Sequence, residues 1–151
     1  MRTLGRFVRE DQAGQSLVEF AYTLPLFLLI ITGLFDLARA VWQENTLAYA
    51  AREGTRYAIV HGTGHPVASE QAWPGNKAGV KEVVRRAAIG VSDITVEVNW
   101  PDDRGGTACY ERTCRVEVIA TAPFVPLPSQ YLAGSAFQIT LKGGSMLVIQ
   151  R

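Results

Sequence analysis

Few residues in this 151-residue chain have the types and spacings that chemistry requires. Cys109 and Cys114, the only cysteines, are separated by four intervening residues, a spacing open to a short disulfide or to a pair of thiolate ligands. Asp102 and Asp103 open the string D-D-R-G-G, which has the turn chemistry of a solvated loop tip and could also hold a weakly bound Ca²⁺. His61 and His65 are the only histidines; they lie in a Gly- and Pro-rich stretch without a C-x2-C partner, where a surface loop accounts for them better than zinc does. There is no G-x-S-x-G elbow, no G-x4-G-K-[ST] loop, no H-E-x-x-H and no G-x-G-x-x-G opening a helix. Nothing assembles a nucleophile, a base and an oxyanion site, so the expectation is a protein that is not an enzyme, with no cofactor and no metal.

Glu19 is the acid that an ordinary surface does not explain. It lies in Leu17–Phe35, LVEFAYTLPLFLLIITGLF, 19 residues in which it is the only ionisable group apart from the phenol of Tyr22. At about 1.5 Å per residue this stretch covers roughly 28 Å, close to a hydrocarbon core of about 30 Å. Arg2, Arg6 and Arg9 precede it, whereas Asp36 and Arg39 follow it, so the positive-inside rule keeps the N-terminus cytoplasmic and sends the rest outside. A secretory signal peptide fits less well. The apolar run exceeds the usual h-region of about 7–15 residues, and the A-x-A-like match at Ala38 and Ala40 encloses Arg39. A carboxylate inside a span usually has a partner or a function; near the helix start it also meets headgroups and the positive end of the helix dipole.

The elements that position these residues follow from periodicity. Leu37, Ala38, Val41, Trp42, Leu47, Ala48, Ala51, Ala58 and Ile59 recur at near-helical spacing, with Arg39, Glu44, Arg52, Glu53 and Arg56 between them. One helix is therefore predicted from Gln15 to about Val60, roughly 69 Å long, apolar in its first half and amphipathic in its second, with something lying on the amphipathic face. Pro25 and Gly33 are tolerated in a membrane helix, with a kink expected near Pro25.

Beyond it, His61 to Gly79 reads as a loop and Ala78–Ala88 as a short amphipathic helix ending at Gly90. Ile94–Trp100 and Arg115–Thr121 alternate as strands joined by a hairpin with an enlarged polar loop. Phe137–Leu141 and Met146–Ile149 supply two further strand candidates around Gly143-Gly144. APFVPLPSQYLAG, with Pro123, Pro126 and Pro128, reads as a stiff connection or, less simply, a docking segment. Trp42, Trp73 and Trp100 are expected in the core or at the membrane interface. The fold class is α+β, a long N-terminal helix packed against a small antiparallel sheet. In an oxidising external compartment Cys109 and Cys114 read as a disulfide at the foot of the hairpin, with zinc as the alternative. Near-balanced charge, 15 Lys+Arg against 14 Asp+Glu, gives no reason to expect nucleic acid as a partner, and 14 Gly with 7 Pro is ordinary usage for a globular chain.

Gly14-Gln15-Ser16-Leu17-Val18-Glu19-Phe20 places a Gly, four residues, then Glu and an aromatic at the head of the apolar run, behind a short basic leader. This resembles the class III leader of type IV pilins and pseudopilins, which a membrane-embedded prepilin peptidase cuts after the Gly. The wider stretch from Gly14 to Gly62 is similar to the TadE-like pseudopilins of tight-adherence (Tad) pilus systems. Its Q-S-L-V-E-F start, Leu-Pro-Leu run, Phe35-Asp36 exit and Ala50-Ala51-Arg52-Glu53-Gly54 tract carry the likeness. The strand-like VEVIATAPFVPL and FQITLKGGSMLVIQ resemble that family's C-terminal half more loosely.

The resemblance implies leader cleavage between Gly14 and Gln15, with Glu19 and Phe20 as the acid and aromatic that act in assembly and register. The carboxylate of Glu19 would meet the new amine of a neighbouring subunit's Gln15, and setting register is the best-attested use of a buried ion pair. Removing the leader, with Arg2, Arg6, Arg9, Glu10 and Asp11, leaves 137 residues carrying 12 Lys+Arg and 12 Asp+Glu. The implied organisation is a cytoplasmic leader over 1–14, a transmembrane helix over 15–36, an exposed amphipathic helix over 37–60 and an external α+β domain over 61–151. The implied function is that of a minor pseudopilin, a single-pass inner-membrane protein that initiates, primes or caps a Tad-type pilus or secretion apparatus serving adhesion. Its partners would be the prepilin peptidase, other pilin and pseudopilin subunits, the assembly platform and the lipid bilayer. The other class is a bitopic receptor or scaffold, anchored but neither processed nor polymerised.

Overall fold

A computed structural model describes residues 4–61, 77–102, 109, 113–127, 130 and 137–150, with side chains from residue 14 onward. Helix α1 spans Leu4–Val60 and runs unbroken through Pro25 and Gly33. It begins within the leader, earlier than the Gln15 start expected from periodicity. Thr23 Oγ1 donates to the Glu19 carbonyl at 2.8 Å and Thr32 Oγ1 to the Leu28 carbonyl at 2.9 Å, so the hydroxyls of the apolar half are satisfied within the helix itself. The chain then forms α2 at Lys77–Ala87, β1 at Thr95–Asn99, β2 at Arg115–Phe124 and β3 at Ile139–Val148. The strands make one antiparallel sheet in the order β1-β2-β3. The fold is α+β, a long helix with a small three-stranded sheet.

The core lies between the sheet and the second half of α1. Val96 and Val98 from β1 and Val116, Val118, Ala120 and Ala122 from β2 are buried on one face, as the two-residue alternation requires. Leu47, Ala50, Ala51, Thr55 and Ala58 of α1 meet them, together with Val80 and Val84 of α2. Full burial of side chains such as Leu47 or Val80 contributes about 1.5–3 kcal/mol each. Thr55, the polar member of this stripe, donates to the Ala51 carbonyl at 2.7 Å.

The contact face of α1 is built from small residues, and that decides its geometry. A Cβ at Gly54 would overlap Val84, so α2 crosses α1 there at close range. A Cβ at Gly143 would run into the α1 backbone at Leu47 and Ala48. Gly143 pairs with Ala120 across the sheet, and the two small residues form the recess in which the helix lies.

Three further expectations need correction. The Gly143-Gly144 pair does not separate two strands: β3 runs through it over its ten residues, and Gly143 thins the strand under α1 instead of turning it. Strand β2 runs on from Thr121 to Phe124, taking Pro123 out of the expected connection; at Pro123 β2 has passed the end of β1 and is flanked by β3 alone, where a strand tolerates proline. Leu37, Val41 and Trp42 do not belong to the covered stripe, which starts at Leu47, and they remain exposed. Trp42 instead lays its ring on Gly90, which holds the left-handed φ of 78° that ends the turn after α2. Trp100 is in the core as expected, whereas all of residues 62–76, with His65 and Trp73, and most of the hairpin tip, with Asp103, lie outside the described residues.

Candidate assembly site

The first turns of the apolar stretch bring two of the expected residues together. Gln15 and Glu19 are one helical turn apart, and Gln15 Nε2 donates to Glu19 Oε1 at 3.1 Å. Phe20, beside Glu19, is exposed, as are Leu17, Val18, Leu24, Leu26, Phe27, Leu28, Leu29 and Ile30. This part of α1 has one stretch long and apolar enough to cross a membrane, and none of that stretch is covered by the rest of the chain. Such a surface needs lipid or other helices around it. At Gly14 a Cβ would meet nothing within 4 Å among the described residues, so packing gives no reason for glycine at this position.

Where α1 leaves the apolar stretch, an anchor that sequence reasoning missed holds it to the sheet. Asp36 is buried, and its Oδ2 accepts the backbone N–H of Leu127 at 2.8 Å. Its Oδ1 lies 3.4 Å from Nη2 of Arg39, one turn on. The same Arg39 nitrogen donates to the Val125 carbonyl, and the guanidinium stands 4.7 Å from the centroid of the Phe124 ring. Two charged side chains of α1 thus bind both polar groups of the chain just after β2. Only the placement of Asp36 directly after the span and the Pro-rich stretch after β2 hinted at it, and neither names the other as partner.

The remaining candidates are spoken for locally. Cys109 and Cys114 form a disulfide, with Cα atoms 5.8 Å apart, at the start of β2. Asp102 does not present a free carboxylate: it accepts the Arg115 backbone N–H at 2.7 Å and is bridged by Nε at 3.1 Å and Nη2 at 2.6 Å of the same residue. That hydrogen bonding first, and the opposite charge second, hold the Arg115 guanidinium above its ordinary range. His61 stacks on Tyr57 with ring centroids 3.9 Å apart, and its Nδ1 lies 3.0 Å from the Tyr57 carbonyl. Among the described residues no group of three or more His, Cys, Asp or Glu side chains is placed to hold a metal ion.

Neither a curated protein nor a solved structure matches the chain. Residues 14–56 match the family model described as TadE-like protein, a stretch that runs from the exposed turns around Glu19 through the Asp36 anchor to the core-facing Gly54 and Thr55. Over these 43 of its 151 residues, all within α1, the chain is similar to TadE-like proteins.

Proposed function

We propose that this protein is a minor pseudopilin of a Tad-type pilus or secretion apparatus, cut after Gly14 by a prepilin peptidase and assembled through α1. The observation that carries the reading is the Glu19 carboxylate, held one turn from Gln15 on an uncovered apolar helix within the TadE-like stretch. An acid in this setting needs a partner, and after cleavage the amine of Gln15 supplies a positive charge at the same level of the membrane. Within one chain Gln15 already reaches Glu19; between staggered chains the amine of one subunit meets the Glu19 of the next, which fixes axial register. Packing gives Gly14 no role, and recognition by a protease does.

In this reading the N-terminus faces the cytoplasm and the sheet domain lies outside, where the Cys109–Cys114 disulfide is stable. The partners are the peptidase, other pilin-like subunits and the membrane assembly platform, and the work is initiation, priming or capping. The test is Glu19→Ala in the native host. Membrane insertion should be unchanged, while co-purification with the other subunits and pilus formation should be lost. Normal assembly of this variant contradicts the ion pair, and an uncut wild-type chain favours an anchored receptor instead.

A further inference from the structure

The end of the sheet domain nearest the apolar stretch carries an open pocket of about 300 Å³, lined by Arg39, Gln43, Ser92, Asp93, Phe124 and Gln138 among others. Arg39 lies four residues beyond Phe35, so it stands about 6 Å past the end of the apolar run. That depth is within the headgroup layer, which adds roughly 5–8 Å to each side of the hydrocarbon core. Arg39 and Gln43, one turn apart, carry a buried donor, Nε, and a buried acceptor, Oε1, that have no hydrogen-bond partner among the described residues. Asp93 lines the same pocket and brings a carboxylate to it, and its φ of 55° fixes its backbone in the left-handed region. One cation and one anion line the pocket, so it matches neither a purely anionic nor a purely cationic ligand.

Exposed apolar residues stand close in sequence to the pocket lining. Ile89 is 76% exposed and Phe137, next to Gln138, is 72% exposed. Exposed Trp42 lies on Gly90, the residue after Ile89, and Leu34, Phe35 and Leu37 of α1 are exposed as well. Exposed Trp, Phe and Ile side chains on the end of a domain next to a span are what seat it at a membrane interface.

We infer that this underside rests in the membrane interface, with Trp42, Ile89 and Phe137 entering it and the pocket taking the zwitterionic headgroup of a phospholipid. The phosphate lies toward Arg39 and the ammonium toward Asp93. The inference rests on α1 being a membrane anchor, and does not depend on cleavage after Gly14.

The test uses the full chain in bilayer nanodiscs containing phosphatidylethanolamine and phosphatidylglycerol, with native mass spectrometry of the lipids it retains. The expected result is preferential retention of phosphatidylethanolamine. Asp93→Asn keeps a residue that accepts the left-handed backbone and removes only the charge, and it should lower that preference about tenfold. A second readout is an environment-sensitive fluorophore at Ile89→Cys, which should be quenched by lipid-borne quenchers more than by aqueous iodide. Equal retention of the two lipids, an unchanged preference in Asp93→Asn, or a label at position 89 quenched mainly from water overturns the inference. Failure of the chain to float with vesicles overturns the anchor itself, a result separable from the others.

Discussion

The buried carboxylate of Asp36 accepts the N–H of Leu127 from 91 residues away, at the point where α1 turns from an apolar rod into one face of a folded domain. Through this bond and the Arg39 contacts to Val125 and Phe124, the sheet domain is fixed to the helix at the end nearest the apolar stretch as well as at its core.

Asp36→Ala should therefore destabilise the sheet domain by about 2 kcal/mol, since it removes a charge-assisted hydrogen bond, leaves the Leu127 N–H without its acceptor and takes away the ion-pair partner of Arg39. Thermal unfolding of the detergent-solubilised chain, followed by the tryptophan signal, checks this, and an unchanged midpoint would show the anchor to be incidental. Insertion of the apolar stretch should be unaffected.

The two adjacent glycines of β3 should respond in opposite ways. Gly143→Ala forces a methyl group into the α1 backbone at Leu47 and Ala48, which neither element can yield easily, and should cost about 1–3 kcal/mol. At Gly144 a Cβ meets nothing within 4 Å, so Gly144→Ala should be neutral or stabilising by up to about 1 kcal/mol. Comparing the two unfolding midpoints isolates the close approach from the general effect of removing a glycine.

Much of this architecture was legible in the sequence because it rests on periodicity. The alternation of Val96, Val98 and Trp100, the helical stripe from Leu47 to Ala58 and the stop at Gly90 are local patterns, and the structure places them as read. The failures share a different cause. Gly143-Gly144 resembles a turn locally, and only the helix lying across it makes it a strand interior. Leu37, Val41 and Trp42 continue the apolar content of α1, yet the sheet covers the smaller residues beyond them, so hydrophobicity alone pointed at the wrong turns. Asp36 and Arg39 find their partners at Leu127 and Val125, across a separation that no local pattern encodes.

The disulfide closes a short loop, so its effect on stability should be limited. Replacing Cys109 and Cys114 by serine removes about 2 kcal/mol of unfolded-state constraint for a ring of this length. The double variant should melt lower but still fold, because the core of Val96, Val116 and Val118 does not depend on the crosslink. Complete loss of the folded sheet domain in this variant, read by circular dichroism, would show the crosslink to be essential.

The central claim is that the chain enters an assembly after cleavage at the head of its TadE-like helix, and the most direct test is the N-terminus of the protein in its native membrane. Intact mass and N-terminal sequencing, with and without the prepilin peptidase, should give a chain of 137 residues beginning at Gln15 only when the peptidase is present. A mature protein that still begins at Met1 or Arg2 in the presence of the peptidase would contradict the account.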